Sequence, residues 1–197
     1  MKTLVLTAVS LLWITPFALA QDAKDKPAKP AVDASMQMPK PGPEHANLKK
    51  AEGNWDVAVE SPGFPAAKGV SEQKMTLKGF WLVDKFSCDW NGTPFEGRGT
   101  TGYDPIKGKY VSTWVDSMSP TLTVTEGTFD EKTRTLNMLG DGYNEKGEKV
   151  KVRTATIHKD ANTVVFEMYN KGSDGKESQV MSIKYTRSAA SPAKPAK

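Results

Sequence analysis

The chain has 197 residues, of which 38% are hydrophobic and 25% charged, with a formal net charge of +4. This composition excludes a polytopic membrane protein and wholesale disorder, and the single cysteine, Cys88, excludes an internal disulfide framework. The charge is uneven: residues 41–187 hold 20 Lys and Arg against 20 Asp and Glu. A neutral domain lacks the electrostatic footprint that phosphate binding requires, so no nucleic-acid partner is expected.

Residues 1–20 read as a signal peptide. Lys2 precedes a short apolar run from Leu4 to Ile14, Pro16 breaks it, and Ala18-Leu19-Ala20 supplies small residues for cleavage. The run is too short to span ~30 Å of hydrocarbon, so the mature chain is expected to begin at Gln21, to carry no transmembrane segment and to be periplasmic or secreted. Residues 21–40 and 188–197 are rich in Lys, Pro and Ala and have no apolar period. They predict a flexible linker and a disordered tail, with tethering to an anionic envelope as the alternative.

Pro43 to Glu52 predicts the one helix, with Pro and Glu in its first turn and Gly53 at its stop. From Gly53 onward the pattern changes to short alternating or β-branched segments between turns. Trp55, Val57 and Val59 alternate with polar neighbours. Val70–Leu77 and Phe80–Trp90 follow, then the Asn91-Gly92 hairpin signal, Phe95–Tyr103, the Asp104-Pro105 turn, and Tyr110–Asp116. Thr121–Phe129, Arg134–Gly140, Lys149–His158, Thr163–Tyr169 and Gln179–Arg187 complete about ten strands with short connections. Such a string predicts an all-β fold, a sandwich or a barrel, and an antiparallel up-and-down β-barrel of about ten strands with a short N-terminal capping helix is favoured because closure removes exposed edges.

Alternation proposes the inner face. Val164, Phe166 and Met168 share one parity, as do Met181, Ile183 and Tyr185, and as do Val150, Val152 and Thr154. Leu82, Phe86, Cys88 and Trp90 also share a parity, and Asp84 sits among them. Around Asp104-Pro105, pairing Tyr103 with Tyr110 sets Thr101 opposite Ser112, Gly99 opposite Trp114 and Gly97 opposite Asp116. Turning the aromatic face inward brings Tyr103, Tyr110, Trp114 and Asp116 towards a cavity. The opposite choice would turn Arg98 and Glu96 inward, so Arg98 is held as a further candidate. Ordinary core and rim positions are the plainer reading of all five.

Gly97-Arg98-Gly99-Thr100-Thr101-Gly102 matches G-x-G-x-x-G, but a turn and a strand follow it where a dinucleotide site needs a helix. The glycines are better read as room for aromatic rings. Gly53-Asn54-Trp55, with Tyr185-Thr186-Arg187 at the far end, resembles the calycin signature, in which a basic residue of the last strand lies over the tryptophan of the first. Arg187 over Trp55 would then seal the barrel.

A closer resemblance runs through Pro41-Gly42-Pro43-Glu44-His45, Gly53-x-Trp55, Phe95-Glu96-Gly97-Arg98-Gly99, Gly102-Tyr103-Asp104 and Tyr110 to Met118. These segments resemble the bacterial family catalogued as domain of unknown function 1579. The resemblance covers 41–187 and implies a calycin-like barrel, similar to lipocalins and fatty-acid-binding proteins. It implies no agreed activity and no catalytic residues. Some calycin-like barrels hold haem through one inward histidine, and His158 is the residue with the parity for it. A lone His beside a turn is more often solvent-facing, and no cofactor is expected.

Two histidines and one cysteine offer no metal-ligand spacing. No nucleophile motif is present, so no catalytic residue is assigned. The chain is thus expected to bind a small, largely apolar molecule inside its barrel. The alternatives are an envelope interaction module with a filled core, and a hydrolase or isomerase using carboxylates drawn from Asp84, Glu96, Asp104 and Asp116.

Overall fold

The computed structural model describes residues 39–143, 147–172 and 175–189. The predicted signal peptide, and nearly all of the predicted linker and tail, lie outside these residues. Ser188 is described and still belongs to the barrel. Its N–H donates to the Asn54 carbonyl at 2.9 Å and its hydroxyl to Asp56 Oδ1 at 2.9 Å.

One helix, α1 (Pro43–Lys49), precedes ten strands: β1 (Gly53–Glu60), β2 (Ala67–Thr76), β3 (Trp81–Trp90), β4 (Thr93–Asp104), β5 (Lys109–Asp116), β6 (Ser119–Asp130), β7 (Thr135–Tyr143), β8 (Lys149–His158), β9 (Thr163–Lys171) and β10 (Glu177–Arg187). Each strand pairs antiparallel with the next, and β1 pairs with β10, closing the barrel. The expected all-β, up-and-down barrel of ten strands with its N-terminal helix is therefore present.

The seam between the first and last strands sets Trp55 opposite Arg187, Val57 opposite Tyr185 and Val59 opposite Ile183. The β4–β5 register is the one read from the turn: Tyr103 with Tyr110, Thr101 with Ser112, Gly99 with Trp114 and Gly97 with Asp116. Asn91 and Gly92, with φ of 52° and 82°, supply the two left-handed residues of the two-residue β3–β4 hairpin.

Two local differences have physical reasons. The helix ends at Lys49, three residues earlier than expected, because the next carbonyls take side-chain donors: Trp55 Nε1 donates to the Ala51 carbonyl at 2.9 Å and Arg187 to those of Lys50 and Glu52. Between β2 and β3 the chain makes a 3₁₀ turn (Leu77–Gly79) in which Leu77, Lys78 and Gly79 all have positive φ. Strand β3 accordingly starts at Trp81 and not at Phe80.

The barrel has two unlike ends. Helix α1, the β2–β3, β4–β5, β6–β7 and β8–β9 connections and the β1/β10 termini lie at one. The β1–β2, β3–β4, β5–β6, β7–β8 and β9–β10 connections lie at the other.

Candidate functional site: the barrel lumen

The helix end is packed shut. Leu48 from α1 joins Leu82, Tyr110, Leu136 and Met138 in one buried cluster, with Met75, Tyr103 and Phe129 against it. The Tyr110 hydroxyl donates to the Glu44 carbonyl at 3.0 Å, tying β5 to the helix. The His45 ring meets Phe80 and Tyr103 edge-on at centroid distances of 5.4 and 6.2 Å. A second cluster lines the wall near the seam: Trp55, Val57, Val59, Ala67, Phe86, Cys88, Val164, Ile183 and Tyr185.

Between these clusters the inward positions are polar or incompletely covered. Thr101 and Ser112 share a hydrogen bond at 2.8 Å across β4 and β5. Ser112, Trp114, Thr123, Thr154, Thr156, Phe166, Met168 and Met181 all face inward by register, yet each remains half-buried. Trp114, Phe166 and Met181 among them also pack against the seam cluster.

The one carboxylate in the middle of this wall, among the described residues, is Asp84. It lies on β3 between Gln73 of β2 and Gly99 of β4. Its Oδ1 accepts from the Ser71 hydroxyl at 2.7 Å, and its Oδ2 receives only a long contact from Gln73 Nε2 at 3.5 Å. Burial lifts the carboxyl to about 6, against the lowering effects of the Ser71 hydrogen bond and the Arg98 charge. Tyr185 on β10 is buried. Burial, and secondarily the Asp84 charge, raise its phenol well above the ordinary 10. The lumen therefore holds a carboxyl that is largely protonated at acid pH and a phenol that burial keeps protonated at neutral pH.

The far end is aromatic. Phe64 in the β1–β2 connection is 6.0 Å from Trp90, Trp90 is 6.5 Å from Phe95, Phe95 is 5.9 Å from Phe86, and Phe86 is 6.1 Å from Trp114. This chain of rings runs from an exposed residue to the lumen. Beside it, a hollow of about 370 Å³ is lined by Phe64, Ala66, Gln179 and Met181.

The predicted site residues take different places. Trp55 and Arg187 form the closure pair, with the guanidinium carbon 4.2 Å from the indole centroid. Tyr103, Tyr110, Trp114 and Asp116 do share the inner face, but they divide along it. The two tyrosines meet at 5.3 Å in the helix end, while Trp114 lies about 13 Å and Asp116 about 20 Å further along β5 at the usual strand rise. There Trp114 lies over Gly97 and Gly99, where any Cβ would meet its ring. Asp116 anchors the β5–β6 turn: Oδ1 accepts the N–H groups of Met118 and Ser119, both at 2.9 Å, and Oδ2 accepts Trp114 Nε1 at 3.0 Å.

Arg98 faces outward, away from the lumen. It pairs with Glu96 at 3.6 Å and borders an outer groove of about 600 Å³, where Lys85 and Glu72 also pair at 3.5 Å. Those exposed pairs give an apolar molecule little to displace. The four carboxylates named from sequence are dispersed: Asp84 in the lumen, Glu96 outside, Asp116 in its turn, and Asp104 accepting the Ile106 and Lys107 N–H groups at the helix end.

His158 faces inward, its ring 6.0 Å from Phe129. Burial, then the Lys50 and Arg134 charges, lower its pKa and keep the ring neutral. That end is filled by Leu48, Leu82, Tyr110, Leu136 and Met138, and so does not fit a haem macrocycle beside the imidazole. Among the described residues, no group of three or more His, Cys, Asp or Glu is placed to hold a metal ion. Cys88 is buried, and burial raises its thiol pKa, as expected of a packing residue.

Sequence reading placed Asp84 on the apolar parity and named it only among the carboxylates of the hydrolase alternative, not as a ligand-binding residue, and it listed Tyr185 only as an inward residue. Their shared surroundings arise from strands far apart in the chain.

The family model described as a protein of unknown function, DUF1579, matches residues 40–187. No curated protein matches the chain. Among solved structures, a de novo designed fluorescence-activating β-barrel is 15% identical, with a TM-score of 0.41 over 72% of this chain and 96% of that one. A redesigned β-barrel is 13% identical, with a TM-score of 0.39 over 77% and 100%. The structure of EF1p2_mFAP2b bound to DFHBI is 11% identical, with a TM-score of 0.41 over 74% and 99%. At that level of similarity, any binding site must be read from this chain alone.

Proposed function

The chain belongs to the DUF1579 family, and on that footing we propose that it is an exported binding protein that encloses a small, largely apolar molecule in its barrel. One observation carries this reading: the inward side chains between the two packed clusters keep accessible surface. A barrel whose core was simply filled would bury them.

The aromatic chain from Phe64 to Trp114 offers an apolar way in at the end opposite the helix. Phe166, Met168, Met181 and Trp114 would cover an alkyl or ring body. Asp84, Tyr185 and the Thr101–Ser112 pair would meet one polar head. Burying about ten methylenes is worth ~0.8 kcal/mol each, and one hydrogen bond adds ~1 kcal/mol. Association removes at least ~4 kcal/mol. The balance, about 5 kcal/mol, predicts Kd values on the order of hundreds of micromolar. Export rests on the reading of residues 1–20.

The test is a titration with the neutral probe N-phenyl-1-naphthylamine. A saturable rise in emission, one probe per chain and displaced by decan-1-ol, supports the proposal. A linear, non-displaceable response contradicts it.

A further inference from the structure

The lumen's charge bears on the head group of the ligand, given the cavity reading above. Among the inward positions of the ten strands in the described residues, the one Lys or Arg is Arg187. It sits at the helix end, and each of its three nitrogens already donates to a carbonyl: Nη1 to Glu52 at 2.8 Å, Nη2 to Lys50 at 3.1 Å and Nε to Ala161 at 3.1 Å. Its guanidinium is thus anchored at the helix end, stacked over Trp55, and no other Lys or Arg faces inward among the described residues.

The groups around Asp84 confirm the sign of the site. Ser71 and Gln73 face it from β2, Gly99 adjoins it on β4, and Tyr185 feels its charge from β10. Arg98 acts on it only from the outer face, where it is half exposed and paired with Glu96. Asp116, the other inward acid, has both oxygens occupied. Asp84 Oδ2 has spare acceptor capacity, since an ionised carboxylate offers about four lone-pair sites and this oxygen receives one contact at 3.5 Å. The Tyr185 phenol, which feels the Asp84 charge, can accept or donate.

We infer that the lumen selects amphiphiles whose head donates a hydrogen bond and carries no negative charge, an alcohol or an amine, and rejects carboxylates of equal chain length. A donor head meets Asp84 Oδ2 and Tyr185. A carboxylate would enter with no cation to pair it and beside a group of like charge, which leaves its desolvation uncompensated.

The test compares decan-1-ol, decylamine and decanoate at pH 7.5 by tryptophan fluorescence and calorimetry. The alcohol and the amine are expected to bind at least tenfold more tightly than decanoate, and Asp84→Asn to reduce that ratio to threefold or less. Tyr185→Phe serves as a second variant, weakening decan-1-ol several-fold with little effect on decanoate. Urea midpoints establish that each variant folds. Decanoate binding as tightly as decan-1-ol, or a ratio unchanged in Asp84→Asn, overturns the inference and leaves the cavity reading standing. If none of the three binds and N-phenyl-1-naphthylamine is also silent, the cavity reading falls and takes this inference with it.

Discussion

Arg187 lies over Trp55, its guanidinium carbon 4.2 Å from the indole centroid, and the two residues are also direct partners across the β1–β10 seam. Together they finish the helix. Arg187 donates to the Lys50 and Glu52 carbonyls, and Trp55 Nε1 to that of Ala51. Gly53, with φ of 140°, makes room, because a Cβ there would overlap Arg187 Nη1. One pair thus joins the ends of the sheet and caps the helix that closes the barrel.

Arg187→Met keeps the packed stem but loses the cation and its three carbonyl partners. The expected loss of stability is about 2–3 kcal/mol by urea unfolding, from the cation–π contact and the hydrogen bonds left unmade. Arg187→Lys should recover less than half, since an ammonium cannot lie flat on the indole while reaching three carbonyls. Full stability in Arg187→Met would show that the seam does not depend on it.

Gly97→Ala drives a methyl into the Trp114 ring. Overpacking of this kind costs about 1–3 kcal/mol. The same substitution in a Trp114→Leu background should cost under ~1 kcal/mol, since the ring that excludes the methyl has gone. A double-mutant cycle reads the coupling directly. Additive effects would mean that the glycine serves the backbone and not the ring.

Asp84 predicts a dependence of stability on pH. Its carboxyl titrates near 3.8 in the unfolded chain and near 6 in the fold. Below pH ~4 both states hold the proton. Between about 4 and 6 the folded protein retains a proton that the unfolded chain has released, so stability falls as pH rises, by a total on the order of 3 kcal/mol. Asp84→Asn removes that slope, and its stability advantage over the wild type should grow from pH 4 to a plateau above pH 6. His158, whose pKa is lowered in the fold, contributes the opposite slope below pH ~6.5 in both proteins and cancels in the difference. A flat difference across this range would place Asp84 in water.

Tyr110→Phe removes the hydroxyl that donates to the Glu44 carbonyl while keeping the ring in its cluster. A loss of about 1 kcal/mol is expected, with faster hydrogen exchange confined to α1. Unchanged exchange there would show that Leu48 alone holds the helix.

Much of this fold is legible in sequence because each clue is local. Alternation sorts Val164, Phe166 and Met168 from their neighbours, the Asp104-Pro105 turn fixes the β4–β5 register, and Gly99 opposite Trp114 announces a ring over a missing side chain. Arg98 could be assigned to the outside only once the aromatic face was known to point in. The 3₁₀ turn at Leu77–Gly79 has no local announcement beyond its glycine, since Leu77 and Lys78 do not favour positive φ. The lumen's polar group was hidden for another reason. Asp84, Ser71 and Tyr185 come from β3, β2 and β10, and barrel closure alone brings Tyr185 near Asp84.

The central claim is an open lumen that takes in an apolar chain. The most direct measurement is an NMR experiment on protein carrying ¹³C-methyl methionine, with decan-1-ol as the bound molecule. Met168 and Met181 face the lumen, and Met118 is 51% exposed in the β5–β6 turn. Nuclear Overhauser effects from the decanol methylenes to the Met168 and Met181 methyls, and none to Met118, are predicted. Contacts at Met118 alone, or none at saturating decanol, would mean that the barrel's core is closed.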